Sequence, residues 1–237
     1  MENPNNSDLL TELLNKIDFL KGILSIWGEV GVGKTTLALQ IAKQLSQLNQ
    51  KVIYIYTKDT FPSEKYKNLT HNMEGSEIQN IKFVKFEDFE DLFTYFLNLE
   101  FVILDLKKLG LIQIGAIIID SALDLYSLKT DMTKKQKNIE LNYKLNQLLG
   151  TCTYLSNAYK IKIVLTNYPS VVQESENEEF VIKQKGGKVV EYWTSTSIQI
   201  HRTQNMSERR IKLITHHDNE IFEHNVKLDS RGFKLLI

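Results

Sequence analysis

Eight consecutive residues carry the most specific chemistry in this chain: Gly28-Glu29-Val30-Gly31-Val32-Gly33-Lys34-Thr35, a G-x-x-x-x-G-K-T loop with Thr36 following it. Glycines at 28, 31 and 33 let the backbone turn its amide N–H groups toward an anion. A helix starting at Lys34 adds the positive end of its dipole to the same point. Lys34 is suited to the β- and γ-phosphates of a nucleoside triphosphate such as ATP, and the Thr35 hydroxyl to a Mg²⁺ ion. The motif has force only where a strand precedes it and a helix follows. Here the apolar run Ile23–Trp27 reads as a buried strand, and Leu37, Leu39, Ile41, Ala42 and Leu45 read as a helix.

A carboxylate at the end of a second apolar strand would complete such a site. Ile117-Ile118-Ile119-Asp120 supplies it, and Asp120 is expected to hold Mg²⁺ through water. On its own, an exit Asp more often caps the next helix; paired with the loop, the metal role is the better reading.

These residues need a parallel sheet to position them. Val52–Tyr56, Lys82–Phe86, Ala116–Asp120 and Ile161–Thr166 read as further strands, and Ile139–Tyr159 as a helix. Phe89–Leu109 has mostly a helical pattern, although Phe101–Leu104 could be a strand. Alternating strands and helices imply an α/β fold with crossover helices. Beyond Gly187 the pattern turns β-rich over Lys188–His201, Arg209–His216 and Ile221–Leu228. The expectation is one domain over residues 1–237. It has a short helical segment at 1–20, a mostly parallel core, and an antiparallel β extension at 188–237.

Composition narrows the function further. Lys+Arg and Asp+Glu are both 29, so a nucleic-acid contact would need a local basic patch rather than a global field. With 42% hydrophobic and 24% charged residues and no apolar run of the roughly 18 residues a bilayer span requires, the chain reads as soluble, with no membrane role. The single cysteine, Cys152, excludes an internal disulfide; this fits a cytoplasmic setting and a buried packing role.

Five segments, in order and spacing, resemble the RecA/RadA recombinase family, and in size its archaeal RadB group. They are Thr57–Lys65 after the second strand, Ile118-Ile119-Asp120-Ser121-Ala122, Val164-Leu165-Thr166-Asn167, Gly186–Trp193, and Ser207–His217. The resemblance runs over about residues 7 to 237. It implies a RecA-like fold, ATP and Mg²⁺ as cofactors, and a role in homologous recombination and DNA repair. Implied partners are single-stranded or branched DNA and a RadA-type recombinase or Holliday-junction-processing proteins, with self-association left open. Lys65 falls where the family has an arginine that stacks on adenine.

The departures bear on turnover. Lys58 stands where the family has the glutamate that orients the attacking water, and a charged lysine accepts no proton. Asp59 is an adjacent substitute only if it turns inward. Tyr168 replaces a glutamine that couples phosphate to a DNA-binding loop. Thr215 and His217 replace cations that reach a neighbouring subunit's phosphate. The expectation is therefore a weak ATPase at most.

For DNA, the first family loop corresponds to Ser127–Lys144, where Lys129, Lys134, Lys135, Lys137 and Lys144 face Asp131 and Glu140. A solvated basic helix start explains this cluster equally well. The second, Tyr168–Lys185, sets Glu174, Glu176, Glu178 and Glu179 against Lys183 and Lys185, which opposes phosphate binding. His201, Arg202, Arg209, Arg210 and Lys212 form another candidate basic face. The competing functional reading is a KaiC-like or archaellum-accessory-like ATPase switch acting on proteins.

Overall fold

A computed structural model describes residues 22–110, 114–131, 133–174, 179–215 and 220–236. The helical segment expected within residues 1–20 lies outside them. Eleven strands and seven helices are described. In chain order they are β1 (Ile23–Gly28), α1 (Lys34–Gln47), β2 (Lys51–Tyr56), α2 (Ser63–Thr70), α3 (Gly75–Gln79), β3 (Ile81–Lys85), α4 (Phe89–Lys108) and β4 (Ile114–Asp120). There follow α5 (Ala122–Lys129), α6 (Lys135–Tyr159), β5 (Lys162–Asn167), β6 (Pro169–Glu174), β7 (Glu179–Gln184), α7 (Gly187–Trp193), β8 (Thr194–Arg202), β9 (Glu208–Thr215), β10 (Glu220–Asp229) and β11 (Gly232–Leu235).

Nine strands form one sheet in the order β11-β10-β9-β8-β1-β5-β4-β2-β3. From β3 to β8 every pairing is parallel; β9, β10 and β11 are added antiparallel. The central strands are apolar on both faces because helices cover both, and side-chain alternation divides them between two cores. Ala116 and Ile118 join Leu24, Ile26 and the α1 residues Leu37, Ala38, Ile41 and Leu45. Ile117 and Ile119 join Ile23, the α4 residues Phe89, Leu92, Phe96, Leu99 and Ile103, and the α6 residues Leu145, Leu148 and Cys152.

Phe89–Lys108 is a single helix throughout, so Phe101–Leu104 forms no strand. Asp88 caps it, accepting from the Glu90 amide at 2.7 Å. Its buried residues recur at helical spacing straight through the ambiguous segment. Cys152 is fully buried.

Two expectations for the C-terminal region are corrected. Gly187–Trp193 is a helix rather than the start of a strand. Gly186 enters it with φ +94°, Val190 is buried, and the Trp193 indole N–H donates to Asn146 Oδ1 of α6 at 2.9 Å. Tertiary docking thus overrides the β preference of Val189, Val190, Tyr192 and Trp193. In addition, β8 is parallel to β1, with Ile26 opposite Ile198, and only its other edge is antiparallel, with Leu213 of β9 opposite Ile198. The antiparallel strands place Ile211, Leu213, Phe222 and Val226 over α1 and leave their other face to solvent.

Among the described residues no helix is long and apolar enough to cross a membrane.

Candidate functional site

The glycine-rich loop leaves β1 and enters α1 as its sequence requires. Gly28 has φ +151° and Gly33, the residue before α1, φ +110°. A side chain at Gly28 would meet the Ile200 carbonyl at 2.3 Å, and one at Gly33 the Phe233 ring at 2.6 Å, so neither position admits a Cβ. Val32 is fully buried and anchors the loop, whereas Glu29, Val30 and Gly31 are exposed at its tip. Arg202, at the end of β8, holds that tip by donating to the Val30 carbonyl at 2.7 Å. Thr36 is buried in α1.

Lys34 reaches back over the loop. Its ammonium donates to the Gly28 and Glu29 carbonyls, each at 2.7 Å, and lies 4.0 Å from the Tyr168 ring centroid. Burial and then the nearby Lys58 charge pull its pKa down to about 8, against the opposing fields of Asp120, Asp124 and Glu29.

Asp120 is 3% exposed and sits across the strand ends from the loop. Its Oδ1 accepts from the Thr166 hydroxyl of β5 at 2.6 Å, and its Oδ2 from the Tyr54 hydroxyl of β2 at 3.1 Å. Burial, followed by the Asp120 charge, pushes the Tyr54 phenol well above its usual range, so it stays a donor. The Asp120–Ser121 peptide is cis. Thr57 joins β2 to the end of β4: its amide donates to the Asp120 carbonyl at 3.1 Å, and its hydroxyl bonds the Ser121 carbonyl and accepts from the Ser121 amide, both at 3.0 Å.

That junction delivers Lys58 into the site. Its ammonium donates to Thr35 Oγ1 at 2.8 Å and lies 3.5 Å from Asp120 Oδ1. Thr35 and Asp120 are suitable hard-oxygen donors for Mg²⁺. Both, however, face one ammonium, which uses the lone pairs a divalent ion would need and would repel it at that distance. With Lys58 in this position the residues do not fit Mg²⁺. Asp59 does not compensate: it is exposed, and its field is felt at Lys85 beside the β3 edge. Lys65 is exposed on α2.

The sequence reading passed over Asp124, Tyr54 and the hydroxyl of Thr166 as site groups. Asp124 lies in the first turn of α5; burial raises its pKa, and Lys58, Lys185 and Lys34 oppose the rise. One signal was available for it, since an acidic residue stands in the first turn of the helix that follows the Asp120 strand end.

Most of the basic segment lies in the helices α5 and α6, and most of its cations are engaged. Lys129 pairs with Asp88, Lys134 with Asp131 at 3.5 Å, and Lys144 with Glu90 at 2.6 Å. Lys135 and Lys137 are exposed and have no ion pair among the described residues. The second segment is a hairpin of β6 and β7. Asn167 and Gln184 fasten its base, Asn167 donating to the Lys185 carbonyl at 2.9 Å and Gln184 accepting from Ser25 at 2.5 Å. Glu176 and Glu178 lie outside the described residues, as does His217. Arg209 is corrected: it is 7% exposed on the core side of β9, donating to the Met206 and Glu208 carbonyls, and is unavailable to a nucleic acid. Arg210 lies on the opposite, solvent side, where it shares Glu223 with Lys212.

Phosphate loop and acidic strand end lie at the carboxyl edge of a parallel sheet that continues into antiparallel strands, a combination that defines the RecA-like class of nucleotide-binding folds. A family model described as Rad51 matches residues 7–234, and the chain belongs to that family. It is similar to proteins called DNA repair and recombination protein RadB. To that of Methanosphaera stadtmanae it is 27% identical over 214 residues, 90% of this chain and 86% of the relative. To that of Methanococcus maripaludis strain C7 it is 30% identical over 215 residues, 88% of each. To that of M. maripaludis strain S2 it is 27% identical over 230 residues, 96% of this chain and 98% of the relative.

Proposed function

We propose that this chain is an ATP-binding accessory protein of homologous recombination and DNA repair that holds its nucleotide and hydrolyses it slowly. The observation that carries the nucleotide part is the loop itself. Gly28 and Gly33 adopt conformations closed to other residues, and Lys34 and the amino end of α1 converge on one point opposite Asp120. Loop amides and the helix terminus bind the phosphates, and Lys34 exchanges its carbonyl partners for phosphate oxygens. Slow turnover follows from Lys58, which brings an ammonium where a carboxylate would orient water. The recombination role follows from the family and from the names of its relatives.

Lys34→Ala tests the nucleotide part: detectable ATP binding is lost in a folded protein, and unchanged affinity would sink the assignment. DNA binding is proposed at Lys135 and Lys137, with a RadA-type recombinase or junction-processing protein as the protein partner. A titration with single-stranded DNA at two salt concentrations, with and without ATP, tests this. No binding under any of these conditions would favour a switch that acts on proteins alone.

A further inference from the structure

The donor pair that would take a divalent ion already faces a cation belonging to the chain. Lys58 Nζ is 2.8 Å from Thr35 Oγ1 and 3.5 Å from Asp120 Oδ1. Its location is built. Thr57 is bonded through both amide and hydroxyl to Asp120 and Ser121, which places the next residue beside the acidic strand end. Asp120 is held in turn by Thr166 and Tyr54, so its Oδ1 has a set direction. An ammonium has three donors. Thr35 and Asp120 take two, which leaves one for a phosphate oxygen arriving from the loop. The pair contributes little to stability, because the Lys58 side chain is 40% exposed and such pairs are screened. A binding role accounts for the placement better than a folding role.

We propose that the Lys58 ammonium stands in for the divalent cation of the nucleotide site, so that this chain binds a nucleoside triphosphate without a metal ion. The proposal rests on the nucleotide reading above. One positive charge replaces two, so the site trades phosphate neutralisation for independence from Mg²⁺. Lys34 and Lys58 then face the polyphosphate together, with Asp120 beside Lys58, and Lys58's field is already felt at both Lys34 and Asp124.

The test is a fluorescence titration with N-methylanthraniloyl-ATP, in EDTA and in excess Mg²⁺, on wild type, Lys58→Met, Lys58→Glu and Lys34→Ala, each checked for folding by circular dichroism. Wild type should bind with affinities within about threefold of each other in the two buffers. Lys58→Met and Lys58→Glu should bind weakly in EDTA and gain about tenfold or more with Mg²⁺, because Thr35 and Asp120 become free to take the ion. Two outcomes overturn the proposal alone: wild-type binding that collapses in EDTA, or Lys58→Met titrating like wild type in both buffers. Wild type failing to bind in either buffer, or Lys34→Ala binding as wild type does, overturns the nucleotide reading and the proposal with it. If Lys58→Glu is unfolded, Lys58→Met, which keeps most of the apolar stem, decides the question.

Discussion

The ammonium of Lys34 rests on the ring of Tyr168, 4.0 Å from its centroid, while donating to the carbonyls of Gly28 and Glu29. A lysine so engaged must leave part of this cage to reach a phosphate. A cation–π contact is worth about 0.5–1 kcal/mol at an exposed site and about 2 when desolvated. Tyr168→Leu keeps an apolar side chain and removes the π face, so ATP affinity should rise by about two- to thirtyfold. A titration with fluorescent ATP analogue measures it; weaker binding by the variant would mean that Tyr168 supports the bound state instead.

Phe233 couples the C-terminal strand to the loop. It is 1% exposed, its ring lies against Gly33, and its backbone is held by Gln40 of α1, whose side chain accepts from the Phe233 amide at 2.8 Å and donates to its carbonyl at 3.2 Å. Phe233→Ala should cost about 3–5 kcal/mol of stability. Urea unfolding followed by circular dichroism reads this as a lower midpoint with the slope unchanged. A midpoint equal to wild type would mean that β11 is not part of the cooperative unit.

Hydrolysis is expected to be limited by residue 58. Lys58→Glu replaces an inward-facing cation by a proton acceptor and should raise phosphate release by about tenfold or more without tightening ATP binding. Rapid release by wild type, stimulated by single-stranded DNA, would show that another acid orients the water; Asp59 is exposed to solvent.

The basic segment offers a graded test of DNA contact. Lys135 and Lys137 carry no ion pair among the described residues, whereas Lys129 and Lys144 are held by Asp88 and Glu90. Removing both of these lysines should reduce the logarithmic salt slope of single-stranded DNA binding by about 1.4, at about 0.7 per phosphate contact. Lys129→Ala should change it less. An unchanged slope after the double substitution would move the contact to the solvent face bearing Arg210.

Local chemistry made much of this protein legible in its sequence. The loop from Gly28 to Thr35 declares itself because its backbone conformations, its lysine and its hydroxyl are encoded in adjacent residues. The strand ending at Asp120 declares itself through four consecutive apolar residues closed by a carboxylate. The alternation of strands and helices follows from the same short-range periodicity.

What the tertiary structure alone decided depends on residues far apart in the chain. Lys58 enters the site because Thr57 is bonded to Ser121, a partner 64 positions away. The segment Gly187–Trp193 is helical because Trp193 docks on Asn146 and Gly150 of α6, against the preference of its own side chains. Arg209 turns inward because the pairing register of β9 places it on the face shared with Ile211 and Leu213. Lys129 is neutralised by Asp88, on the loop before another helix. In each case a side chain's direction is set by strand register and helix docking, which no window of neighbouring residues contains.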